Sequence, residues 1–275
     1  IDLMGYTTDS RFDIFTYRVA PIQISYLGFP ATTGSDCIDY IFSDKYLIPK
    51  NEEKYYTEKV INLPLCYQRF DDTLSPSKKE ITRSEYGIPE NVFVFTCFNS
   101  NYKISKTSFE IWMNILDKVN ESVLLLYKSN DISESNLKIE ALKRNIDPNR
   151  LIFCKRVNLD DHLNRHSIGD LFLDTFDYSA GLTASLALYS NMPLLTLCGR
   201  SYTSRMAASI LDDLNMKELI VASTVEYEEK AIEIASNPTY LNSLKRKLAE
   251  EVRHSKIFNS TGFINELETI YKSLI

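Results

Sequence analysis

Residues 171–197 read LFLDTFDYSAGLTASLALYSNMPLLTL. The run Leu171–Leu173 is apolar, ends in Asp174-Thr175 and opens into a loop of small residues, Ser179-Ala180-Gly181. From Thr183 the apolar spacing becomes helical and stops at Pro193, where a second apolar run begins. The pattern predicts strand, tight loop, helix and strand. The first turn of such a helix has backbone N–H groups without intrahelical partners and carries the positive end of the helix dipole, so it suits a phosphate or diphosphate. In open parallel sheets that edge is also where ligands bind. Leu182 and Leu186 stand where polar contacts to a nucleotide are expected.

Around this unit the same alternation extends from about residue 90. Strands are predicted at Val92–Phe98, Val123–Tyr127, Leu151–Cys154, Leu171–Asp174, Leu194–Leu197 and Leu219–Val221. They are continuous apolar runs, as expected of parallel strands covered on both faces. Helical periods lie between them near Ser108–Val119, Ser135–Asn145, Asp160–Ser167, Thr183–Ser190, Ser204–Leu214 and Glu226–Ala235. The prediction is an α/β fold with one complete Rossmann-like, doubly wound parallel-sheet lobe. Helices near Pro238–His254 and Phe263–Leu274 finish the chain. The start reads differently: Ile22–Leu27, Ile38–Phe42 and Val60–Leu63 are short strand candidates without full crossover helices, the C-terminal part of a second α/β lobe. The expected division is 1–65 for that incomplete lobe, 66–255 for the Rossmann-like lobe and 256–275 for a C-terminal helix, with Asp71–Lys79 as linker. Because the chain opens on Ile1-Asp2-Leu3-Met4, as if inside a strand, it is expected to be part of a larger protein.

Composition narrows the function. The 275 residues are 44% hydrophobic and 25% charged, with a net charge of −6, which argues against a general nucleic-acid binder. Lys245-Arg246-Lys247 falls in a helical pattern and reads as a solvated face. Five cysteines without a CxxC pair point to a reducing, cytoplasmic setting and away from a disulfide framework or zinc site. No apolar run reaches membrane-spanning length, and no signal peptide is evident. There is no Walker loop, no GxGxxG and no GxSxG, which lowers the case for a dehydrogenase, an ATPase or an esterase-type hydrolase.

Two further strand ends carry candidate chemistry. Phe98-Asn99-Ser100-Asn101-Tyr102-Lys103 follows the most apolar strand and places polar side chains and an ammonium where an anion would lie. Loss of such a contact to a departing diphosphate commonly costs about 3–4 kcal/mol in a transition state. His162, in Asn158-Leu159-Asp160-Asp161-His162, opens a short helix after Leu151–Cys154, with Asp160-Asp161 read as its N-cap and first-turn acid. In the first lobe, Tyr26-Leu27-Gly28-Phe29-Pro30 follows a strand and can face the second lobe across a cleft.

These residues resemble a known family. Arg18-Val19-Ala20-Pro21-Ile22-Gln23, Tyr26–Pro30, Asp39-Tyr40-Ile41, Phe98-Asn99 with Tyr102-Lys103-Ile104, Asp161-His162, Leu173-Asp174-Thr175 and Ser204–Ser209 occur in the order found in the catalytic region of the O-GlcNAc transferase and SPINDLY family, inverting glycosyltransferases of GT-B fold. The resemblance implies that Lys103 is the catalytic lysine at the nucleotide diphosphate. It implies that Asn99, Ser100 and His162 contact the donor, and that Ala180, Gly181, Leu182 and Thr183 form the turn around the diphosphate. Gly28 and Pro30 match the cleft loop of the N-terminal lobe. It implies a UDP-linked or GDP-linked sugar donor, a Ser/Thr hydroxyl of a protein (or an Asn side chain in one branch) as acceptor, and no metal or other cofactor. Tetratricopeptide repeats are expected to precede the chain; a piece lacking half its cleft is expected to transfer poorly. Where the family commonly has Thr-Thr and then an Asp for the ribose, this chain has Leu182-Thr183 and Leu186, and Leu159 replaces a Lys of some relatives. A non-catalytic relative that binds a nucleotide or a protein is the alternative.

Overall fold

A computed structural model describes residues 1–275. The chain runs α1 (Asp13–Thr16), β1 (Ile24–Ser25), β2 (Tyr40–Ser43), β3 (Lys59–Asn62), β4 (Phe93–Cys97), α2 (Lys106–Lys118), β5 (Ser122–Tyr127), α3 (Asp131–Leu142) and β6 (Leu151–Cys154). It continues through α4 (Leu159–Arg165), β7 (Leu171–Leu173), α5 (Leu182–Tyr189), β8 (Leu194–Leu197), α6 (Tyr202–Asp213), β9 (Ile220–Val221), α7 (Thr224–Ser236), α8 (Pro238–His254) and α9 (Ser260–Leu274). Every predicted strand and helix of the second lobe is present, with ends shifted by a few residues.

Strands β4–β9 form a six-stranded sheet in the order β6-β5-β4-β7-β8-β9, parallel throughout. The order reverses between β4 and β7, so the carboxyl ends of those two strands flank the crevice where doubly wound sheets take their ligands. The strands are apolar on both faces because helices cover both: Val94, Phe95, Leu124, Leu125, Leu126, Leu171, Phe172 and Leu194 are buried. Each such side chain contributes about 1.5–3 kcal/mol of burial. Helix α2 shows how the cover is built. Phe109, Trp112, Met113 and Leu116 recur at helical spacing and are all buried, and the Ser105 hydroxyl caps the start by accepting the Ser108 amide.

Strands β1–β3 form a separate parallel sheet in sequential order. Its connections carry no α-helix, yet its apolar side chains still need cover. Helix α9 supplies it by crossing back from the far lobe: Tyr271 stacks on Phe42 with centroids 5.8 Å apart, and Phe263 packs on Tyr26 at 6.4 Å. The Arg69 guanidinium lies 3.8 Å from the Phe263 ring centre. The sequence pattern announces α9 as a helix but not this destination.

The two sheets are tied directly. Arg205 on α6 pairs in bidentate fashion with Glu52 (2.7 and 2.8 Å), and the Ser209 hydroxyl donates to Asp44 (2.6 Å). The Ser260 amide and hydroxyl donate to the Asp72 carboxylate (2.8 and 2.9 Å). Two local readings change. Helix α4 is capped by Asn158, whose Oδ1 accepts the Asp161 amide at 2.8 Å, so Asp160 and Asp161 are both first-turn acids. The basic run on α8 is not merely solvated, since Lys245 reaches Asp170 (3.6 Å) and Lys247 reaches Glu218 (2.8 Å).

Candidate functional site

The crevice between the ends of β4 and β7 is organised around one buried carboxylate. Asp174 directly follows β7 with no exposed surface, and its Oδ1 accepts the amides of Thr175 and Ala180 (both 2.8 Å) and the Asn99 side-chain amide (3.0 Å). Its Oδ2 accepts the Thr196 hydroxyl at 2.8 Å, and its backbone carbonyl accepts the Tyr227 hydroxyl at 3.1 Å. No guanidinium or ammonium pairs with it directly. Burial therefore pushes the carboxyl up to about 6, while the donors and the Lys103 charge pull the other way.

Asn99, buried at the end of β4, relays this order onward. Its Nδ2 also donates to Thr175 Oγ1 (2.8 Å), and its Oδ1 accepts the Thr183 hydroxyl from the first turn of α5. Helix α5 begins at Leu182 on a Gly181 N-cap that offers no side-chain cap. No protein acceptor takes the amides of Gly181, Leu182 and Thr183, so three donors point out of this helix start. A Cβ at Gly181 would lie 2.5 Å from Met206 Cε, so a larger residue here would have to displace the end of that side chain.

Lys103 closes the arrangement. It ends a single tight turn, Asn101–Lys103, and its Nζ donates to the Ser179 carbonyl at 3.4 Å while lying 3.8 Å from the Tyr178 ring centre. Burial lowers its pKa, and the Asp174 charge opposes that lowering. A half-buried cation without a carboxylate partner beside three free amides makes a site for an anion with several oxygens.

Next to it, a cavity of about 530 Å³ is walled by Phe98, Ser100, Tyr127, Arg156–Leu159, His162 and Arg165. Ser100 joins the two parts, since its carbonyl accepts the Lys103 amide at 2.9 Å. His162 accepts from Arg165 Nε at 2.7 Å and meets the Phe98 ring edge-on at 5.3 Å. Burial, reinforced by the Arg165 charge, lowers its pKa to about 4, so the ring is neutral at physiological pH.

The structure thus gathers Asn99, Lys103, Ala180, Gly181 and Thr183 around Asp174, and sets Ser100 and His162 in the adjoining cavity. Leu182 is 57% exposed at the helix start, whereas Leu186 is buried with Phe70 and Leu163. Leu186 therefore faces the interior and not the crevice, correcting its reading as a residue standing at the nucleotide. Gly28 and Pro30 lie in the first lobe, where a Cβ on Gly28 would lie 1.9 Å from the Leu3 carbonyl oxygen. Neither lines the cavity beside His162. Asp174, Tyr178 and Arg165 were not singled out as site residues. Asp174 stood in the Leu173-Asp174-Thr175 stretch, and Arg165 one helical turn after His162 on the same face; Tyr178 had no such signal. No three His, Cys, Asp or Glu side chains come together as a metal-binding group.

Comparison with known proteins agrees with this geometry. Over 278 residues the chain is 34% identical to the probable UDP-N-acetylglucosamine–peptide N-acetylglucosaminyltransferase SEC of Arabidopsis thaliana, matching 98% of this chain and 28% of that protein. The SPINDLY protein of Solanum lycopersicum, with the same enzyme description, is 29% identical and matches 100% of this chain and 30% of its own length. The chain thus spans less than a third of these relatives. A mutant O-GlcNAc transferase from Thermobaculum terrenum superposes with a TM-score of 0.84 at 26% identity, over 94% of this chain and 49% of that one. WaaG, a glycosyltransferase of lipopolysaccharide biosynthesis, shares the fold at 12% identity with a TM-score of 0.60, over 90% of this chain and 77% of its own. These neighbours make the fold GT-B. The model of glycosyl transferase family 41 matches residues 1–73 and 73–267, nearly the whole length, and the chain belongs to that family.

Proposed function

We propose that this chain forms the donor-binding part of a protein glycosyltransferase, which moves a sugar from a nucleotide diphosphate to a Ser or Thr hydroxyl with inversion. The observation that carries this reading is Lys103, half-buried and unpaired, beside the free amides of Gly181–Thr183 at the strand-order reversal. Leaving-group charge develops on the diphosphate as the anomeric bond breaks. A preset ammonium and helix-start amides stabilise it without a metal. The enzyme descriptions of the SEC and SPINDLY relatives favour UDP-N-acetylglucosamine as donor and a peptide as acceptor. In this reading residues 1–65 belong to the acceptor-side lobe, 66–255 form the donor lobe and 256–275 bind the two, with Gly28 and Pro30 in the cleft loop. Five free cysteines suit a reducing compartment such as the cytoplasm. Tetratricopeptide repeats in the same protein would present the acceptor.

Calorimetric titration of the chain with UDP and GDP tests the reading, together with transfer of labelled sugar from UDP-N-acetylglucosamine to a Ser/Thr peptide. Binding of a nucleoside diphosphate that Lys103→Ala removes is the expected result. Absence of binding to either nucleotide overturns it and favours a non-catalytic, protein-binding relative, a reading to which the exposed Leu182 and the inward Leu186 would then belong.

A further inference from the structure

Tyr67 is wholly buried in the segment that joins the two sheets, and its backbone is held on both sides. Its amide donates to Asp44 Oδ2 (2.9 Å), and its carbonyl accepts the Tyr26 hydroxyl (2.9 Å). Its ring meets Tyr202 edge-on, with centroids 5.5 Å apart. The Tyr67 hydroxyl, however, has no partner, although a buried hydroxyl left unmatched costs free energy. Burial pushes the pKa of this phenol far up, so it keeps an O–H to give. The next residue is its complement. Gln68 is 7% exposed, its Nε2 is spent on the Arg69 carbonyl (3.0 Å), and no group of the chain donates to its Oε1. Both free atoms border the start of α5. From the position a Cβ would take on Gly181, Gln68 Oε1 lies 3.3 Å away and the Tyr67 hydroxyl 3.9 Å. An O–H and a lone pair thus stand near one point without bonding to each other. Phosphate oxygens are acceptors and would be repelled by Oε1. The pair fits a group that both gives and takes a hydrogen bond, such as a sugar hydroxyl or an acetamido group.

Across the larger sheet, three features fall in a row. The cavity beside His162 lies over the ends of β4 and β5 and the start of α4. Lys103 and the Gly181–Thr183 amides stand at the reversal between β4 and β7. Tyr67 packs on Tyr202, the first residue of α6, which follows β8 on the far side of that reversal. A nucleotide sugar has its parts in a matching order: nucleoside, diphosphate, sugar. We propose that Tyr67 and Gln68 are specificity-determining residues that bind the sugar of the nucleotide, Tyr67 giving one hydrogen bond and Gln68 Oε1 accepting another. The proposal rests on the donor-binding reading above. It supplies contacts for the part of the ligand that Lys103 and the helix start, suited to an anion, leave unbound.

Calorimetric titration of the full chain with UDP, UDP-N-acetylglucosamine and UDP-glucose tests this, with Tyr67→Phe and Gln68→Met as variants. Each variant is expected to weaken at least one UDP-sugar roughly tenfold, while the affinity for UDP itself changes less than about twofold. A loss confined to UDP-N-acetylglucosamine assigns the acetamido group to the pair, and one shared with UDP-glucose assigns a ring hydroxyl. Tyr67→Phe removes only an unpartnered hydroxyl, so its melting temperature without ligand should match or exceed that of the parent. A Tyr67→Phe protein that melts lower without ligand overturns the proposal, as do equal losses of UDP and both UDP-sugars. So do unchanged affinities for both UDP-sugars, the result expected if the space between the two atoms holds only water. Should Gln68→Met not fold, the ratio of UDP-sugar to UDP affinity in Tyr67→Phe decides alone. A parent chain that binds neither UDP nor a UDP-sugar sinks the donor-binding reading and this proposal with it. A parent that binds them, with variants that keep its ratio of affinities, sinks the sugar contact alone.

Discussion

The Thr183 hydroxyl donates to the Asn99 side-chain carbonyl, and this bond joins the first turn of α5 to the end of β4 across the point where the strand order reverses. Thr183→Val is expected to leave Asn99 Oδ1, in a residue 1% exposed, without its donor. The cost is about 1–2 kcal/mol in stability by chemical denaturation. Nucleotide affinity should fall as well, because the helix start is no longer held, and Thr183→Ser should retain both.

Lys103→Met is expected to weaken nucleoside diphosphate binding by one to two orders of magnitude, roughly 1.4–2.8 kcal/mol. The melting temperature should hold, because burial already disfavours the ammonium that the substitution removes. In the unaltered chain, binding measured by calorimetry should weaken at alkaline pH earlier than an exposed lysine would allow.

Asp174 makes a pH prediction of definite sign. Burial raises its carboxyl to about 6 in the fold from an ordinary 3.8, so the folded chain holds this proton where the unfolded chain has released it. The contribution to stability is full below the unfolded value and is lost as pH rises through about 6. Asp174→Asn should therefore melt at the same or a higher temperature than the parent at pH 7.5, with the difference vanishing at pH 3.5. A large loss of stability at pH 7.5 would contradict a destabilising buried charge.

The histidines act in the opposite direction. His166 is fully buried against Phe98, neither ring nitrogen has a partner, and burial drives its pKa well below the ordinary value. A lowered histidine pKa gives stability that is present above the unfolded value and lost as pH falls through the folded one. His162, at about 4, follows the same rule. His166→Phe should flatten acid unfolding between pH 6 and pH 4, and gain about 1 kcal/mol at pH 7 by removing unpaired polar atoms. Denaturation curves at stepped pH measure both effects.

The parallel sheet was legible because covered strands leave long apolar runs, and Val92–Phe98 or Val123–Tyr127 admit few other readings. That Lys103 and Gly181–Thr183 lie together at neighbouring strand ends was legible because each directly follows an apolar strand run. Asp174 stood in the Leu173-Asp174-Thr175 stretch yet was given no role: a carboxylate after a strand reads as a loop acid until the four donors that converge on it are seen. Leu186 misled for the same reason, since one turn of α5 decides whether a side chain meets the crevice or the Phe70–Leu163 cluster. The return of α9 to β1–β3 joins residues more than 200 apart in the chain, and helical periodicity carries no record of its destination.

That return has a mechanical consequence. The chain passes between the lobes twice, once before Asp72 and once before Ser260, and the hydrogen bonds between these two residues hold the passages side by side. The two crossings, the Arg205–Glu52 pair and an apolar core that runs unbroken from Tyr26 and Phe42 to the strands of the larger sheet fasten the lobes at separate points, so that parting them has to open all three together.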